Sequence, residues 1–388
     1  MKLKHILTIA SLLVATLGEA QSVGPDTTGM NIDAHTWTRN VRLGWNLGNQ
    51  LECGGTGLNW ETSWGNPRVT IKTIKAVKAA GFNAIRIPVQ WGQNVVNKET
   101  MEIGKKYLDR VQEVVDWCLA ENMWVIINTH HEKWLEENPF YKDQKENNRK
   151  LAALWQQIAT RFRDYDARLV FAGINETQVN WQAPTQENTD VTNSYNQTFV
   201  NTVRATGGKN TYRNLIVQTY SCNPHYGLKG FVIPTDPTPN RLSVEFHYYN
   251  PYVYCSGKLP KDGGFYFWGD AFKEYGKTPD ENETSLIQLF DEMKAKWYDK
   301  GLGIVMGEYG VSSHYTDDAN KIVEQANETY YLQKVTSEAR KRGYAPFVWD
   351  NNKFGNGEEQ FGIFDRNDRM KVKNTFFLQG LLEGAKDE

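Results

Sequence analysis

Eight short runs of apolar residues recur along the chain, and they constrain its fold more than any other feature. Each run is continuous rather than alternating, which is the pattern of a parallel strand buried on both faces. The runs are Val41–Leu47, Ala84–Val89, Trp124–Thr129, Leu169–Ile174, Leu215–Thr219, Leu242–Tyr248, Gly303–Met306 and Ala345–Trp349. Between them lie segments with apolar residues at helical spacing, such as Leu151, Leu154, Trp155 and Ile158. Eight strand–helix units predict one closed (β/α)8 barrel, the TIM-barrel fold.

This barrel accounts for almost all of the 388 residues. We assign residues 41–388 to the barrel domain and residues 21–40 to an N-terminal lead-in. The fifth connection, after Tyr220, is short and Pro-rich, so its helix is the least defined by pattern. The long connection from Pro251 to Glu283 carries a cluster of aromatic residues, namely Tyr252, Tyr254, Phe265, Tyr266, Phe267 and Trp268. Loops of that length are usually functional, so we expect aromatic-rich loops at the C-terminal face of the barrel.

The first twenty residues have the character of a secretory signal peptide. Lys2 and Lys4 give a positive start, and the apolar run Ile6–Leu17 is short for a membrane span. Ala20 supplies a small residue suited to cleavage. We therefore expect residues 1–20 to be removed and the mature chain to be secreted, into a periplasm or the extracellular space.

The net charge and the aromatic content indicate which classes of partner the chain binds. A formal net charge of -2 argues against nucleic acid or an anionic membrane surface as the main partner. The aromatic fraction is high, at 13%, and includes 13 Trp. Some of these rings pack in the core, and others suit a cleft that stacks flat rings against the apolar faces of sugars. We expect a carbohydrate partner, a monomeric chain and no cofactor.

The four Cys residues allow several arrangements. They are Cys53, Cys118, Cys222 and Cys255, and none lies in a CxxC pair, which argues against a structural zinc site. Export permits disulfides, and Cys222 and Cys255, which follow successive strands, form a candidate bridge. Cys118 lies among apolar helix positions and is expected to be a buried free thiol.

Polar residues collect where the predicted strands end, which is where barrel enzymes carry their catalytic groups. In chain order they are Asn46, Arg86, His130, His131, Asn175, Glu176, His247, Tyr249, Glu308 and Trp349. Two carboxylates on different strands, Glu176 and Glu308, suit glycoside hydrolysis, in which one protonates the leaving oxygen and the other attacks the anomeric carbon. In a retaining enzyme they are about 5–5.5 Å apart. Arg86 would keep the nucleophile ionised through a charged hydrogen bond.

The ordered set of motifs resembles glycoside hydrolase family 5, the former cellulase family A. The set comprises GWNLGN at 44–49, WGNP at 64–67, GFNAIRIPV at 81–89, VIINTHH at 125–131, NE at 175–176, HYY at 247–249 and GEYG at 307–310. Their order and spacing match from about residue 40 to 385. The pattern is most similar to the subfamily 4 endoglucanases, many of which act on xyloglucan and mixed-linkage glucan as well as cellulose.

The resemblance implies a role for each matching position. Glu176 would be the acid/base and Glu308 the nucleophile, and Asn175 would bond the 2-hydroxyl of the sugar at the cleavage point. Arg86 and Tyr249 would support Glu308, and His130 and His247 would shape the site around the reacting sugar and the acid/base. Trp349 would form a platform beneath the sugar. His131 and Asn46 are further candidates for substrate binding or support.

Two positions depart from the usual pattern of the family. Thr177 stands where Pro usually follows Asn-Glu, and Ala172 stands where many relatives carry Glu. We expect the first to alter the shape of the loop and the second to alter the charge around the site. Neither removes the carboxylate pair.

The run His130-His131-Glu132 also admits a metal-site interpretation. Adjacent side chains on a strand point to opposite faces, so both His residues could not easily bind one ion. The spacing matches neither HExxH nor the usual zinc patterns. We expect no metal.

The leading hypothesis is an endo-acting, retaining β-1,4-glucanase that hydrolyses cellulose-like and mixed-linkage β-glucans, with xyloglucan as a further substrate. Candidate aromatic subsites are Trp60, Trp91, Trp134, Trp181 and Trp268, for each of which packing in the core or rim is the alternative. A second hypothesis keeps the mechanism but acts on mannan, glucomannan or xylan, because a fold does not settle the substrate. A third is a non-catalytic carbohydrate-binding protein, which would typically lack one of the two carboxylates.

Overall fold

The computed structural model describes residues 23–55, 60–258, 266–315 and 319–386. Within them, eight parallel strands close into a barrel in sequence order. They are β1 (Gly44–Asn46), β2 (Ala84–Ile87), β3 (Trp124–Asn128), β4 (Leu169–Ala172), β5 (Leu215–Gln218), β6 (Leu242–Tyr248), β7 (Gly303–Tyr309) and β8 (Ala345–Val348). The eight predicted strands and the TIM barrel are confirmed. The predicted signal peptide, residues 1–20, and Phe265 lie outside the described residues.

A helix follows each strand and covers the outside of the barrel. These helices are α1 (Ile71–Ala79), α2 (Lys105–Ala120), α3 (Tyr141–Arg161), α4 (Gln186–Ala205), α5 (Pro224–Gly230), α6 (Glu283–Lys296), α7 (Lys321–Lys341) and α8 (Thr375–Gly384). Helix α5, whose sequence pattern was the least clear of the eight, has 7 residues. Pro224 begins it, and the Asn223 side chain accepts hydrogen bonds from the backbone N–H groups of His225 and Tyr226.

Smaller elements complete the described chain. Short α-helices cover Ala34–Asn40, Lys133–Glu136 and Tyr252–Cys255, and 3-10 turns cover Gly92–Asn94, Lys209–Thr211, Tyr220–Cys222, Asp270–Phe272 and Tyr298–Lys300. Three strand pairs lie outside the barrel: Val23–Pro25 with Gly207–Gly208, Val95–Asn97 with Glu102–Ile103, and Phe364–Asp365 with Lys371–Val372. Among the residues described, no helix combines the length and the apolar character needed to cross a membrane.

The lower end of the barrel is filled by apolar side chains. The helix Ala34–Asn40 places Trp37 against Phe347 at 6.4 Å and against Trp124 at 6.3 Å between ring centroids. Small and branched side chains form the layer above, including Ala172 and Val305. The lead-in thus closes the barrel at the amino ends of its strands.

Strand alternation carries polar groups to the opposite end. Successive side chains on a strand point to opposite faces, so in β2 Ile85 and Ile87 pack in the layer beneath the helices while Ala84 packs inside the barrel. Arg86, two residues after Ala84, shares its inward face. The interior is therefore apolar at the bottom and polar at the carboxyl ends of the strands.

Candidate active site

Arg86 is fully buried and links four side chains at the carboxyl ends of the strands. Its Nη1 donates to Glu308 Oε1 at 2.9 Å and to Asn46 Oδ1 at 3.0 Å. Its Nη2 donates to Asn175 Oδ1 at 2.9 Å, and its Nε lies 3.0 Å from Glu245 Oε1. Burial lowers the pKa of the guanidinium, but the carboxylates of Glu245 and Glu308 raise it above its usual value. Arg86 therefore stays charged.

Glu308, near the end of β7, is held through both carboxylate oxygens. Oε1 accepts from Arg86, and Oε2 accepts from the Tyr249 hydroxyl at 3.1 Å. Burial raises the pKa of Glu308, and the positive charges of His247 and Arg86 offset this only in part. Both oxygens of this buried carboxylate are therefore held in fixed positions.

Glu176 faces Glu308 across the site, with His247 between them. His247 Nδ1 lies 2.5 Å from Glu176 Oε1 and 3.7 Å from Glu308 Oε2. One ligand atom from each of the three residues lies within 4.8 Å of the other two. The Glu176 side chain is 22% exposed against 8% for Glu308, so Glu176 is the more open to solvent. Burial opposes charge on His247, but the Cys222 sulfur and the two carboxylates raise its pKa well above its usual value.

Comparisons with known proteins identify the family of the chain. Residues 49–355 match the family model for cellulases of glycosyl hydrolase family 5. The chain belongs to glycoside hydrolase family 5. An endoglucanase A from Paenibacillus barcinonensis is 34% identical over 401 residues, covering 96% of this chain and 98% of its own.

Solved structures show the same family fold. A Bacteroides ovatus xyloglucanase of family 5, in complex with a XXXG heptasaccharide, has a TM-score of 0.86 at 32% identity, covering 95% of this chain and 80% of its own. A broad-specificity endoglucanase of subfamily 4 from Clostridium acetobutylicum has a TM-score of 0.79 at 30% identity, covering 91% of this chain and all of its own. The chain is a glycoside hydrolase of the cellulase type.

Glu245 is a buried carboxylate of this family 5 site that the sequence pattern did not single out. It lies on β6 two residues before His247, and its Oε2 accepts from Gln218 Nε2 at 2.7 Å. Burial raises the pKa of Glu245, but Arg86 beside it lowers that pKa below its usual value, so the group stays ionised. The sequence did contain a signal for Glu245, because its i, i+2 spacing to His247 puts both side chains on one face of the strand.

The same carboxylate bears on the departure at Ala172. The Ala172 side chain packs in the apolar interior of the barrel, and the carboxylate beside Arg86 is that of Glu245 on β6. Its position requires Gly307, because a Cβ there would lie 1.8 Å from Glu245 Oε1.

Two Asn residues are oriented by Arg86. Because Asn175 Oδ1 accepts from Arg86, the Asn175 Nδ2 group points away from the guanidinium and is oriented to donate elsewhere. Asn46 has no exposed surface, and its Nδ2 donates to the backbone oxygens of Gly307, Phe347 and Val348. Asn46 thus holds Arg86 in place and has no surface with which to touch a sugar.

His130 and His131 lie beyond the end of β3, so the strand argument about their directions is wrong. His131 has φ of 58°, and the two rings lie 4.3 Å apart at right angles. Asn128 Nδ2 lies 3.1 Å from His130 Nδ1, while Asn128 Oδ1 accepts from the Val89 N–H. The amide therefore donates to Nδ1 and leaves the proton of His130 on Nε2. Burial lowers the pKa of His130 well below its usual value, which keeps the ring neutral.

The structure separates the candidate tryptophans. Trp91 and Trp268 have no exposed surface, and their Nε1 groups donate to the backbone oxygens of Asn128 and Glu281. A ring without exposed surface has no face for a sugar, so the prediction of subsites at Trp91 and Trp268 is wrong. Their apolar bodies pack in the core while their single donor is satisfied.

Three candidate tryptophans keep some accessible surface. Trp60 packs edge-on against Tyr107, with centroids 4.7 Å apart. Trp134 donates from Nε1 to Glu132 Oε2 at 2.7 Å. Trp181 is 66% exposed.

Two further tryptophans flank the histidines. Trp349, partly buried, stacks on His130 with centroids 6.1 Å apart. Trp64 was not among the candidates, yet it is 47% exposed and its ring lies 5.7 Å from that of His131. The WGNP motif at residues 64–67 could have identified Trp64 as a candidate site residue.

The cysteines are all buried and unbridged. Cys222 Sγ lies 3.3 Å from the Asn175 carbonyl oxygen, and Cys255 Sγ lies 3.1 Å from the Tyr331 hydroxyl. The candidate bridge between Cys222 and Cys255 is wrong, because each sulfur packs in its own pocket. Cys118 is confirmed as a buried free thiol.

Glu176, His247 and Glu308 are spaced closely enough to be considered as metal ligands. Their arrangement has another explanation, since Arg86 already supplies positive charge at 2.9 Å from Glu308. Two carboxylates with separate partners and a shared His between them suit acid–base and nucleophilic chemistry.

Proposed function

We propose that this enzyme is an endo-acting, retaining β-1,4-glucanase in which Glu176 is the acid/base and Glu308 the nucleophile. The observation that carries the proposal is the short separation of the two carboxylates, whose nearest relevant oxygens lie within 4.8 Å of each other. Retaining glycosidases have carboxyl groups about 5–5.5 Å apart, whereas inverting ones need about 6.5–9.5 Å to admit a water molecule. The distance favours direct attack by a carboxylate.

In the first step, Glu176 donates a proton to the glycosidic oxygen as the bond to the anomeric carbon breaks. Glu308 attacks that carbon and forms a covalent glycosyl-enzyme. Arg86 and Tyr249 each hold one oxygen of Glu308, so the attacking group is aligned before the substrate binds. The Asn175 amide is oriented to donate to a hydroxyl of the reacting sugar.

In the second step, Glu176, now ionised, takes a proton from water, and the water oxygen releases the sugar from Glu308. The charges of the cluster balance in both stages. With Glu176 protonated, Arg86 and His247 offset Glu245 and Glu308. In the glycosyl-enzyme Glu308 is a neutral ester, and Glu176 carries the second negative charge. A buried site that stays neutral overall avoids the cost of an uncompensated charge.

The β-glucan substrate is supported by the relatives, which are an endoglucanase, a xyloglucanase and a broad-specificity endoglucanase. Exposed Trp64 and Trp181 supply rings that suit the flat faces of β-linked glucose. We propose cellulose-like and mixed-linkage glucans as substrates, with xyloglucan as a further one. We also propose that the enzyme is secreted, because residues 1–20 have the pattern of a signal peptide, and that it acts as a monomer.

The test is release of reducing ends from soluble cellulose, mixed-linkage glucan, xyloglucan, glucomannan and xylan, with Glu308→Gln alongside. Release from the β-glucans that falls at least about 10⁴-fold in the variant is expected, because the covalent step is lost. Activity confined to mannan or xylan would overturn the substrate. Wild-type hydrolysis by Glu308→Gln would overturn the nucleophile, and binding without any release would favour the non-catalytic alternative.

Stereochemistry provides a second readout. Proton NMR of the first product should show the β-anomer ahead of mutarotation, because two inversions give net retention. Initial release of the α-anomer would mean single displacement and would contradict the role given to Glu308.

A further inference from the structure

Gln218, the last residue of β5, joins two parts of the active site through one buried amide. Its Oε1 accepts from the backbone N–H of Ile174 at 3.0 Å, and its Nε2 donates to Glu245 Oε2 at 2.7 Å. Because a backbone N–H can only donate, the contact with Ile174 fixes which end of the amide faces Glu245. Gln218 has no exposed surface, so bulk water reaches neither bond.

The first contact fixes the backbone that leads to Glu176. Gly173, directly after β4, still pairs with β5, since its N–H donates to the Ile216 carbonyl oxygen at 3.0 Å. The next N–H along the chain, that of Ile174, is bonded by the Gln218 side chain. Ile174 lies only two residues before Glu176. Gln218 therefore anchors the segment that carries Glu176 to β5.

The second contact orients a carboxylate that supports the same catalytic group. Glu245 Oε1 lies 3.0 Å from Arg86 Nε and 3.4 Å from His247 Nε2. Gln218 binds the other oxygen of this carboxylate. The opposite nitrogen of the His247 ring, Nδ1, lies 2.5 Å from Glu176 Oε1. The amide thus reaches Glu176 by two routes, one through the segment after β4 and one through Glu245 and His247.

The main chain of Gln218 is fixed as well. Asn196, on α4, accepts from the Gln218 N–H at 3.2 Å and donates to its carbonyl oxygen at 2.8 Å. The Asn196 side chain also has no exposed surface. A side chain that is held at its backbone and at both ends of its amide has one position. A Met in its place would have no N–H group to donate, and an Asn would be shorter by one CH2 group.

We propose that Gln218 is a positioning residue for the acid/base, which sets the place from which Glu176 protonates the leaving oxygen. The inference rests on the proposed function. Gln218 itself is buried and takes no part in proton transfer. Loss of its amide should slow the reaction according to how much the leaving group needs a proton. A role in stability alone would lower the amount of folded enzyme and leave that dependence unchanged.

The experiment measures kcat/KM for Gln218→Met on two substrates. Cellotetraose loses a sugar that needs a proton from Glu176, whereas 2,4-dinitrophenyl β-cellobioside releases a stable phenolate that needs none. Because general acid catalysis contributes about 10²–10⁴-fold, a displaced acid should lower kcat/KM by about tenfold on cellotetraose and by no more than about twofold on the dinitrophenyl substrate. Gln218→Asn, a milder change, should show the same selective fall and replaces Gln218→Met if that variant does not fold.

Gln218→Glu is the conservative variant. At about pH 5 its carboxyl group and that of Glu245 should share one proton, because two carboxylates in contact cannot both ionise readily. The shared proton restores the hydrogen bond to Glu245, so kcat/KM on cellotetraose should stay within about threefold of wild type at that pH. A fall as large as that of Gln218→Met would contradict the proposal.

Gln157→Met is the matched control. On α3, outside the barrel, Gln157 Oε1 accepts from the Ile103 N–H at 2.8 Å, and its Nε2 donates to the Met101 carbonyl oxygen at 2.8 Å. This variant should lose stability without changing the ratio of the two activities. An unchanged ratio in folded Gln218→Met or Gln218→Asn, whether both activities fall equally or neither falls, would overturn the proposal.

Glu176→Ala separates failure of this proposal from failure of the proposed function. It should abolish most cellotetraose hydrolysis and largely keep the kcat/KM of dinitrophenol release, because only the first reaction needs the acid. An equal fall in both would refute the acid/base role of Glu176 itself. If wild type cleaved neither substrate, the proposed function would fail.

Discussion

Replacing Glu245 with Gln should extend the activity of the enzyme to lower pH. In the proposed mechanism Glu308 must be ionised to attack, and its pKa is raised above the usual value. The carboxylate of Glu245 contributes to that rise, because a nearby negative charge opposes ionisation. Glu245→Gln removes this charge and keeps nearly the same shape. The pKa of Glu308 should then fall, and the acid limb of the kcat/KM profile should move to lower pH.

The size of the effect follows from Arg86, which both carboxylates contact. Glu245 Oε1 lies 3.0 Å from Nε and Glu308 Oε1 lies 2.9 Å from Nη1 of the same planar guanidinium. The two oxygens are therefore at most about 8 Å apart. At that distance and an effective dielectric constant of about 20, the repulsion is about 2 kcal/mol, equivalent to a movement of the acid limb by about 1.5 pH units.

The assay is kcat/KM against pH on p-nitrophenyl β-cellotrioside, since this ratio reports the ionisation of the unbound enzyme. Asp236→Asn is the matched control. Asp236 pairs with Arg204 at 2.7 Å, with side chains 5% and 6% exposed, below the barrel and away from Glu308. Both variants should lose stability, by up to about 3–5 kcal/mol, because each leaves a buried Arg without one partner. Only Glu245→Gln should move the acid limb.

Two results would refute this reasoning. An acid limb that stays in place in a folded Glu245→Gln enzyme would mean that Glu245 does not influence Glu308 electrostatically. A movement to higher pH would mean that loss of the carboxylate displaces Arg86 or His247. Glu308 would then lose more of the attraction of these positive groups than it gains from removal of the Glu245 charge.

Two further predictions concern buried groups outside the carboxylate pair. Burial raises the pKa of Glu132 to about 7 in the folded protein. In the unfolded chain the same carboxyl group ionises at lower pH. The free energy of unfolding should therefore fall by up to about 3 kcal/mol as pH rises from about 4.5 to 7. Urea unfolding of Glu132→Gln should show a smaller fall over that range, and an unchanged pH dependence would contradict it. Because all four thiols are buried and unbridged, none should react quickly with a thiol reagent in the native enzyme, and all four should react in denaturant without reductant. Two reactive thiols in denaturant would indicate a disulfide.

Sequence pattern was sufficient for the barrel because buried parallel strands are marked locally. Continuous apolar runs with helical stripes between them require no long-range information. Strand ends could be located in the same way, and so could the polar groups that follow them, such as Glu176 and Glu308. The order of the strands then placed these groups at one end of the barrel.

Tertiary structure decided the roles that depend on which groups meet. Glu245 lies in a run that reads as strand, and only closure of the barrel brings it to Arg86 from β2. Trp91 and Trp181 both follow strand ends, yet one is buried and the other is 66% exposed. Local sequence gives the direction of a side chain along its strand, but burial and ion pairing depend on residues far away in the chain. The scaffold and the carboxylate pair could therefore be predicted from sequence, whereas packing determined the charge balance of the site and which tryptophan rings are exposed.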